Sequence, residues 1–229
     1  GFEPFTPNNE LRYQSFQIQD NLTFYRGAHT FTAGLSYENY KSENVFFPGS
    51  QSVYVYNSLS DFYTDANGYL ANPNRTTSPV TSRRFQVRWS NIPGLDKPTQ
   101  PLKVDYVGMY GQDNWKVWDN FTFNYGLRVD IPFFGDTGFA NAQVDGLNFR
   151  DENGATVKYS TSKLPDPNVL WSPRIGVNWS PLKSGRVQVR GGSGIFTGRP
   201  AYVWISNQIG NNGVLTGFEE FINGTNTRP

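Results

Sequence analysis

From Phe121 to Asp130 apolar and polar residues alternate without a break. Phe121, Phe123, Tyr125, Leu127 and Val129 fall on one side of an extended chain, and Thr122, Asn124, Gly126, Arg128 and Asp130 on the other. Successive strand residues point to opposite faces, so this period of two predicts a β-strand with one apolar and one polar side. The pattern recurs as three hairpins. In the first, Ser15–Tyr25 sets Phe16, Ile18, Leu22 and Phe24 against Gln17, Gln19, Asn21 and Thr23. After a turn at Arg26–His29, Thr30–Tyr40 sets Phe31, Ala33, Leu35 and Tyr37 against Thr32, Gly34, Ser36 and Glu38. The second pairs Val104–Trp115 with Phe121–Ile131 across Lys116–Asn120. The third pairs Trp171–Ser180 with Arg186–Phe196 across Pro181–Gly185, and there Ile175, Val177 and Trp179 oppose Arg174, Gly176 and Asn178.

These strands are about ten residues long, against the 5–6 common in globular sheets. Their turns are short, while the connections between hairpins run to roughly 40–60 residues, uncommon inside a compact domain. Transmembrane barrels combine short turns on one side with long loops on the other. Parity supports six spans. Arg83–Trp89 also alternates, with Phe85, Val87 and Trp89 on one face. As a seventh span it would reverse the direction of Val104–Trp115, so it is expected in an outer loop, extending the sheet. Pro93, Pro98 and Pro101 separate it from the next strand and interrupt ladder bonding.

Composition narrows the choice. Of 229 residues 37% are hydrophobic and 16% aromatic, with 23 Gly, which favours strands and turns over a helical bundle. Twenty basic residues against 19 acidic ones give no reason to expect nucleic acid. There is no Cys, hence no disulfide frame or thiolate site. No apolar run reaches the ~18–20 residues of a transmembrane helix, but a barrel strand needs only about 9–11. Gly1–Glu10 lacks the basic start and apolar core of a signal peptide. Tyr25, Tyr37, Tyr40, Tyr106, Tyr110, Trp115, Trp118, Trp171 and Trp179 fall near expected strand ends, where barrels carry interfacial girdles. A soluble β-sandwich alternates in the same way and stays open as an alternative.

The stretch Tyr110-Gly-Gln-Asp-Asn-Trp-Lys-Val-Trp-Asp-Asn-Phe-Thr-Phe-Asn-Tyr-Gly-Leu-Arg-Val-Asp130 resembles the strand–turn–strand signature of TonB-dependent outer-membrane receptors. Trp171-Ser-Pro-Arg-Ile-Gly-Val-Asn-Trp179 is similar to the strand that follows in that family. Val189-Arg-Gly-Gly-Ser-Gly-Ile-Phe-Thr-Gly-Arg-Pro200 and Trp204-Ile-Ser-Asn-Gln208 resemble its Oar-like branch. The resemblance implies an all-β fold, part of a transmembrane antiparallel β-barrel of about 22 strands with a plugged lumen. Of that barrel the chain holds about six strands, with hairpins near 15–40, 104–131 and 171–196. Extracellular loops are expected near 41–103, 132–170 and 197–229. The plug and the TonB-contacting segment are not in this stretch, so it reads as an internal barrel fragment. The partners implied are outer-membrane lipid, the TonB complex through an N-terminal region outside this stretch, and surface or periplasmic proteins.

Site candidates follow from the faces. Arg128, Asp130, Arg174 and Arg190 are expected in the lumen, pairing with one another or docking the plug, because Arg facing lipid at mid-depth costs roughly 2–4 kcal/mol. Tyr54, Tyr56, Tyr63, Tyr69, Tyr202 and Trp204 are the loop aromatics expected to meet a ligand or partner. His29, the single histidine, reads as a turn residue and not a base. The glycines of 191–198 lack the phosphate-loop spacing. Asp61, Asp65 and Asn67, or Asp136 and Asp145, offer oxygen ligands, but neither set matches a calcium loop. No catalytic residue, metal or cofactor is expected, and no enzyme. The function expected is energy-coupled import or binding of a large ligand at the bacterial outer membrane. The alternatives are an adhesion or assembly protein on the same barrel, or a soluble β-rich binding module.

Overall fold

The computed structural model describes residues 3–182 and 184–227; of the third expected turn Lys183, and of the last expected loop Arg228 and Pro229, lie outside the described residues, as do Gly1 and Phe2. In chain order the elements are β1 (Glu10–Arg26), β2 (His29–Val45), β3 (Val53–Val55), α1 (Leu59–Ala71), β4 (Thr77–Ser90), β5 (Gln100–Trp118), β6 (Phe121–Phe134), α2 (Ala142–Asp145), β7 (Phe149–Arg150), β8 (Thr156–Val157), β9 (Leu170–Trp179), β10 (Val189–Gly194), α3 (Tyr202–Gly210) and β11 (Thr216–Thr227). Six of the strands form one antiparallel sheet in the order β1-β2-β5-β6-β9-β10. These are the three expected hairpins laid side by side. The sheet does not close, and nothing in it sets a count of 22.

The turns are tight for local reasons. Arg26 pairs with His29, leaving a two-residue loop in which Gly27 takes φ 58°, a conformation that costs glycine little. Between β5 and β6 the loop shrinks to Asp119-Asn120, because Trp118 pairs with Phe121 across a register shift after Lys116. The expected strand lengths miss in both directions: β10 has 6 residues where Arg186–Phe196 was expected, whereas β1 and β2 have 17 residues and β5 has 19. The long strands run past the alternating stretches into polar sequence, where the ladder continues although the apolar face does not.

The register puts Thr32, Gln112, Gly126 and Arg174 in one row, and Leu35, Met109, Val129 and Trp171 in another on the opposite face. Alternation therefore yields two coherent faces across all six strands. It also corrects the expected girdles. Tyr25, Tyr40, Tyr106 and Tyr110 lie on the polar face with Arg128, whereas Tyr37, Trp115, Trp118, Trp171 and Trp179 lie on the apolar face.

Arg83–Trp89 falls inside β4, in the connection between β2 and β5 as expected, but it does not extend the main sheet. It pairs with β3 and β11 in a separate three-stranded sheet. Both edges of β5 are already taken by β2 and β6, which leaves no ladder for β4 to join. Phe85, the buried centre of this second sheet, packs on Tyr54 at 4.8 Å and Phe221 at 6.3 Å. Among the described residues no helix is long and apolar enough to cross a membrane.

Candidate functional site

The polar face carries a hydrogen-bonded network, and its centre is Arg128 with Asp130. Two positions apart on β6, they point the same way. Arg128 Nε donates to Asp130 Oδ1 and Oδ2 at 3.1 and 2.8 Å, and its Nη2 donates to Oδ1 at 2.7 Å and to Ser36 Oγ at 3.2 Å. Asp130 is only 1% exposed. Room for the pair comes from Gly108 opposite Asp130: a Cβ there would stand 2.5 Å from Arg128 Nη2 and Asp130 Oδ1. Beside it Tyr110 lies across Gly34 and donates to Asn21 Oδ1 at 2.6 Å. Arg174 donates to Gln112 on the same face. Arg190 shares the face through its pairing with Asn178 but stands outside this network. The structure thus brings Arg128 and Asp130 together, links Arg174 to a neighbouring amide, and leaves Arg190 apart.

Towards the end of the sheet away from the tight turns, a second set forms around Glu38. Ser15 Oγ and Gln17 Nε2 donate to its Oε1 at 2.6 and 2.9 Å, and Arg199 pairs with its other oxygen. The Arg199 guanidinium also lies 5.7 Å from the Tyr106 ring centroid. Beyond it, α3 packs on the sheet. Leu102, Val104, Leu164 and Tyr202 form a buried cluster flanked by Tyr40, Phe134, Ile205 and Ile209. This contact needs the three-dimensional fold: Leu102 and Val104 replace polar residues on the polar face of β5 only where α3 covers them.

That packing corrects one expected contact residue. Tyr202 is 8% exposed, with its ring 4.7 Å from Tyr40, because it anchors α3. Burial also pushes its hydroxyl pKa up. Tyr54 is occupied by Phe85, and Tyr56 donates to Asp65 Oδ2 at 2.5 Å. Tyr63, Tyr69 and Trp204 remain exposed, Trp204 at 66%. Asp65 also holds Arg75 at 2.5 Å and takes a bond from Ser78, so it serves the packing of α1 on β4 and not an ion. Among the described residues no group of three or more His, Asp or Glu gathers as a metal site.

Sequence reasoning missed a cluster on the apolar face. His29 is no isolated turn residue: it opens β2, and its Nδ1 lies 2.6 Å from Asp113 Oδ2. Tyr125 donates to the same oxygen at 2.9 Å. The His29 ring is stacked between Phe31 and Trp115 at 5.4 and 5.3 Å. The available signal was Asp113 in an otherwise apolar row, which called for donors in register.

A family model described as an outer membrane beta barrel domain matches residues 1–228. The chain belongs to that family. Comparison with curated proteins and with solved structures gave no match. Its place is the outer membrane. In such a barrel the polar face lines the lumen and the apolar face meets lipid. This accounts for Leu22 and Leu35 standing 72% and 64% exposed in the middle of the apolar face, which a water-facing sheet would not tolerate at this extent. The barrel domain also has an apolar band of suitable height. On its outward face β5 carries Gly111, Met109 and Val107 between Asp113 and Asp105. That separation is about 27 Å along a strand, or roughly 20 Å of height at a tilt near 40°. Asp113 is tied to His29 and Tyr125, and Asp105 accepts from Tyr37 and Asn39 at 2.6 and 2.7 Å. Each end of the band thus has a hydrogen-bonded carboxylate beside an aromatic. Asp20, on edge strand β1, is an acidic side chain within the band, and its Oδ1 accepts from the Asn21 amide at 2.9 Å.

Proposed function

We propose that this chain is part of the wall and outer loops of a TonB-dependent receptor of the Oar-like branch, which binds or imports a large extracellular ligand at the expense of the proton-motive force. The observation that supports it most is the hairpin from Tyr110 to Asp130. Its signature residues do physical work together: Gln112 takes the Arg174 bond, Gly126 sits where a Cβ would come within 2.8 Å of Gln112 Cβ, and Arg128 clasps Asp130. In this reading the tight turns face the periplasm. The connections 41–103, 132–170 and 197–229 face outward, and Arg128, Asp130, Arg174 and Arg190 form polar wall against which a plug docks. The barrel is of the 22-stranded kind, and its other strands pair with β1 and β10, because lipid does not tolerate bare edges. Tyr63, Tyr69 and Trp204 are the aromatic contacts left free for the ligand. The protein acts by binding and movement and not as an enzyme, and its partners are lipid, the TonB complex and ligand.

The test is ligand accumulation by cells carrying the complete protein, with and without an uncoupler. Uptake that stops with the uncoupler and with deletion of the gene is the expected result. Unchanged nutrient uptake together with lost surface attachment would replace import by adhesion. That second reading has one observation in its favour: the second sheet leaves large apolar side chains exposed on both faces, Trp89 and Phe221 on one and Phe218 and Ile222 on the other.

A further inference from the structure

Helix α3 adds nothing to the barrel wall, yet it lies against the polar face of β2 and β5. Three sets of contacts hold it there. Arg199, just before it, pairs with Glu38 and lies over Tyr106. Tyr202 and Ile205 close on Leu102 and Val104. Asn44 Nδ2 donates to Ser206 Oγ at 3.0 Å and to Asn207 Oδ1 at 2.5 Å. These contacts span more than 90 residues of sequence and cover part of the lumen wall.

The cover is poorly satisfied for a permanent core. Ser42 Oγ, Gln100 Oε1, Thr137 Oγ1 and Tyr202 Oη are buried there without a hydrogen-bond partner among the described residues. Each such group loses water without replacement, which costs free energy and opposes the burial of the apolar side chains. The helix itself is short, nine residues, and its N-cap Ala201 makes no side-chain bond. The chain has room before the helix and is anchored after it. Gly198 meets open space, and Gly213 takes φ 84° beside Asn212, whose carbonyl is held by Asn141 Nδ2 at 2.8 Å.

We propose that residues 198–210 are a displaceable strap, latched by Arg199 on Glu38, that opens and closes over the lumen wall. Closed, it removes Tyr106, Glu38 and Gln100 from whatever passes through the lumen. Open, it presents them as an aromatic and hydrogen-bonding surface. Release rehydrates both partners of the latch: Arg199 is already 44% exposed, and the buried Glu38 carboxylate opens to the lumen together with the unsatisfied atoms, which regain water. The inference rests on the polar face lining the lumen and not on energy-coupled import.

The experiment uses the complete protein in lipid vesicles, with any cysteine outside this stretch replaced and Val104→Cys as the reporter; the stretch itself contains no Cys. Labelling by a membrane-impermeant maleimide reports uncovering of Val104, which is fully buried under the strap. Slow but measurable labelling is expected. Adding Arg199→Glu, which repels Glu38, speeds it at least tenfold, and adding Glu38→Arg to that variant returns the slow rate. Trp204→Cys labels fast throughout, and heat-modifiable migration confirms that each barrel is folded. Should Arg199→Glu fail to fold, Arg199→Gln moves the rate the same way by a smaller factor. Equal rates with and without the latch, or fast labelling of Val104→Cys alone, overturn the strap. Labelling needs no energy coupling, so failure of the import reading leaves this outcome unaffected.

Discussion

Asp113 on β5 and Asp130 on the neighbouring β6 are both buried, at 3% and 1% exposure, on opposite faces of a single hairpin. Asp130 faces the lumen and is held by a fork of three bonds from Arg128. Asp113 faces lipid near the tight turns and is held by His29 and Tyr125. The difference follows from what each face can solvate. A permanent cation is tolerable where its remaining donors reach water and polar neighbours, and Arg128 remains 34% exposed. On the lipid side a guanidinium would cost more than it returns. Donors with large apolar bodies, stacked among Phe31, Trp115 and Tyr125, can satisfy a carboxylate there without adding a fixed charge.

The comparison breaks most readily at Arg128. Arg128→Ala strands a buried carboxylate, and the folded barrel should lose about 3 kcal/mol in urea-dependent insertion into vesicles, the lower end for a broken buried pair. Crowding the pair is the next step down. Gly108→Ala places a Cβ 2.5 Å from both Arg128 Nη2 and Asp130 Oδ1, and should cost about 2 kcal/mol in the same measurement. Across the sheet, His29→Phe keeps the stacking on Trp115 and leaves Asp113 its bond from Tyr125. Its cost should be about 1 kcal/mol. A loss as large as that of Arg128→Ala would mean that the lipid-facing cluster is an ion pair in all but name.

The smallest effect separates wall from cover. Burial raises the Tyr202 pKa, so the covered state favours the neutral phenol. That stabilisation is complete below the ordinary tyrosine range near 10 and is lost as pH rises through the higher covered value. Labelling of Val104→Cys, relative to Trp204→Cys, should therefore rise modestly above pH 10. In a Tyr202→Phe background that rise should disappear.

Much of this architecture was legible in the chain because β-strands of a barrel obey a local rule. Phe121–Asp130 alternates, and its five companions do so with few breaks, such as Asp20 in β1, so the faces, the pairing of hairpins and the shared polar side of Arg128, Asp130 and Arg174 could be read one residue at a time. Arg83–Trp89 shows the limit. It alternates equally well, yet it pairs with residues 216–222, more than 120 positions away. His29 and Tyr202 mark the same limit at the level of side chains. The turn context of His29 said nothing about Asp113, 84 positions on, and the aromatic, loop-borne Tyr202 looked free until α3 was seen on the wall.

What the sequence determined by itself was the two-sided strand, its turns and the environment each side demands, because a period of two and the cost of polar groups in lipid act within a few residues. Tertiary structure alone decided which strands left the wall to build the second sheet, which donors met Asp113 and which part of the lumen face α3 covers. Those outcomes depend on ladder edges already being filled and on apolar patches such as Leu102 and Val104 finding a complementary face. Both are properties of the assembled sheet and not of any stretch of chain.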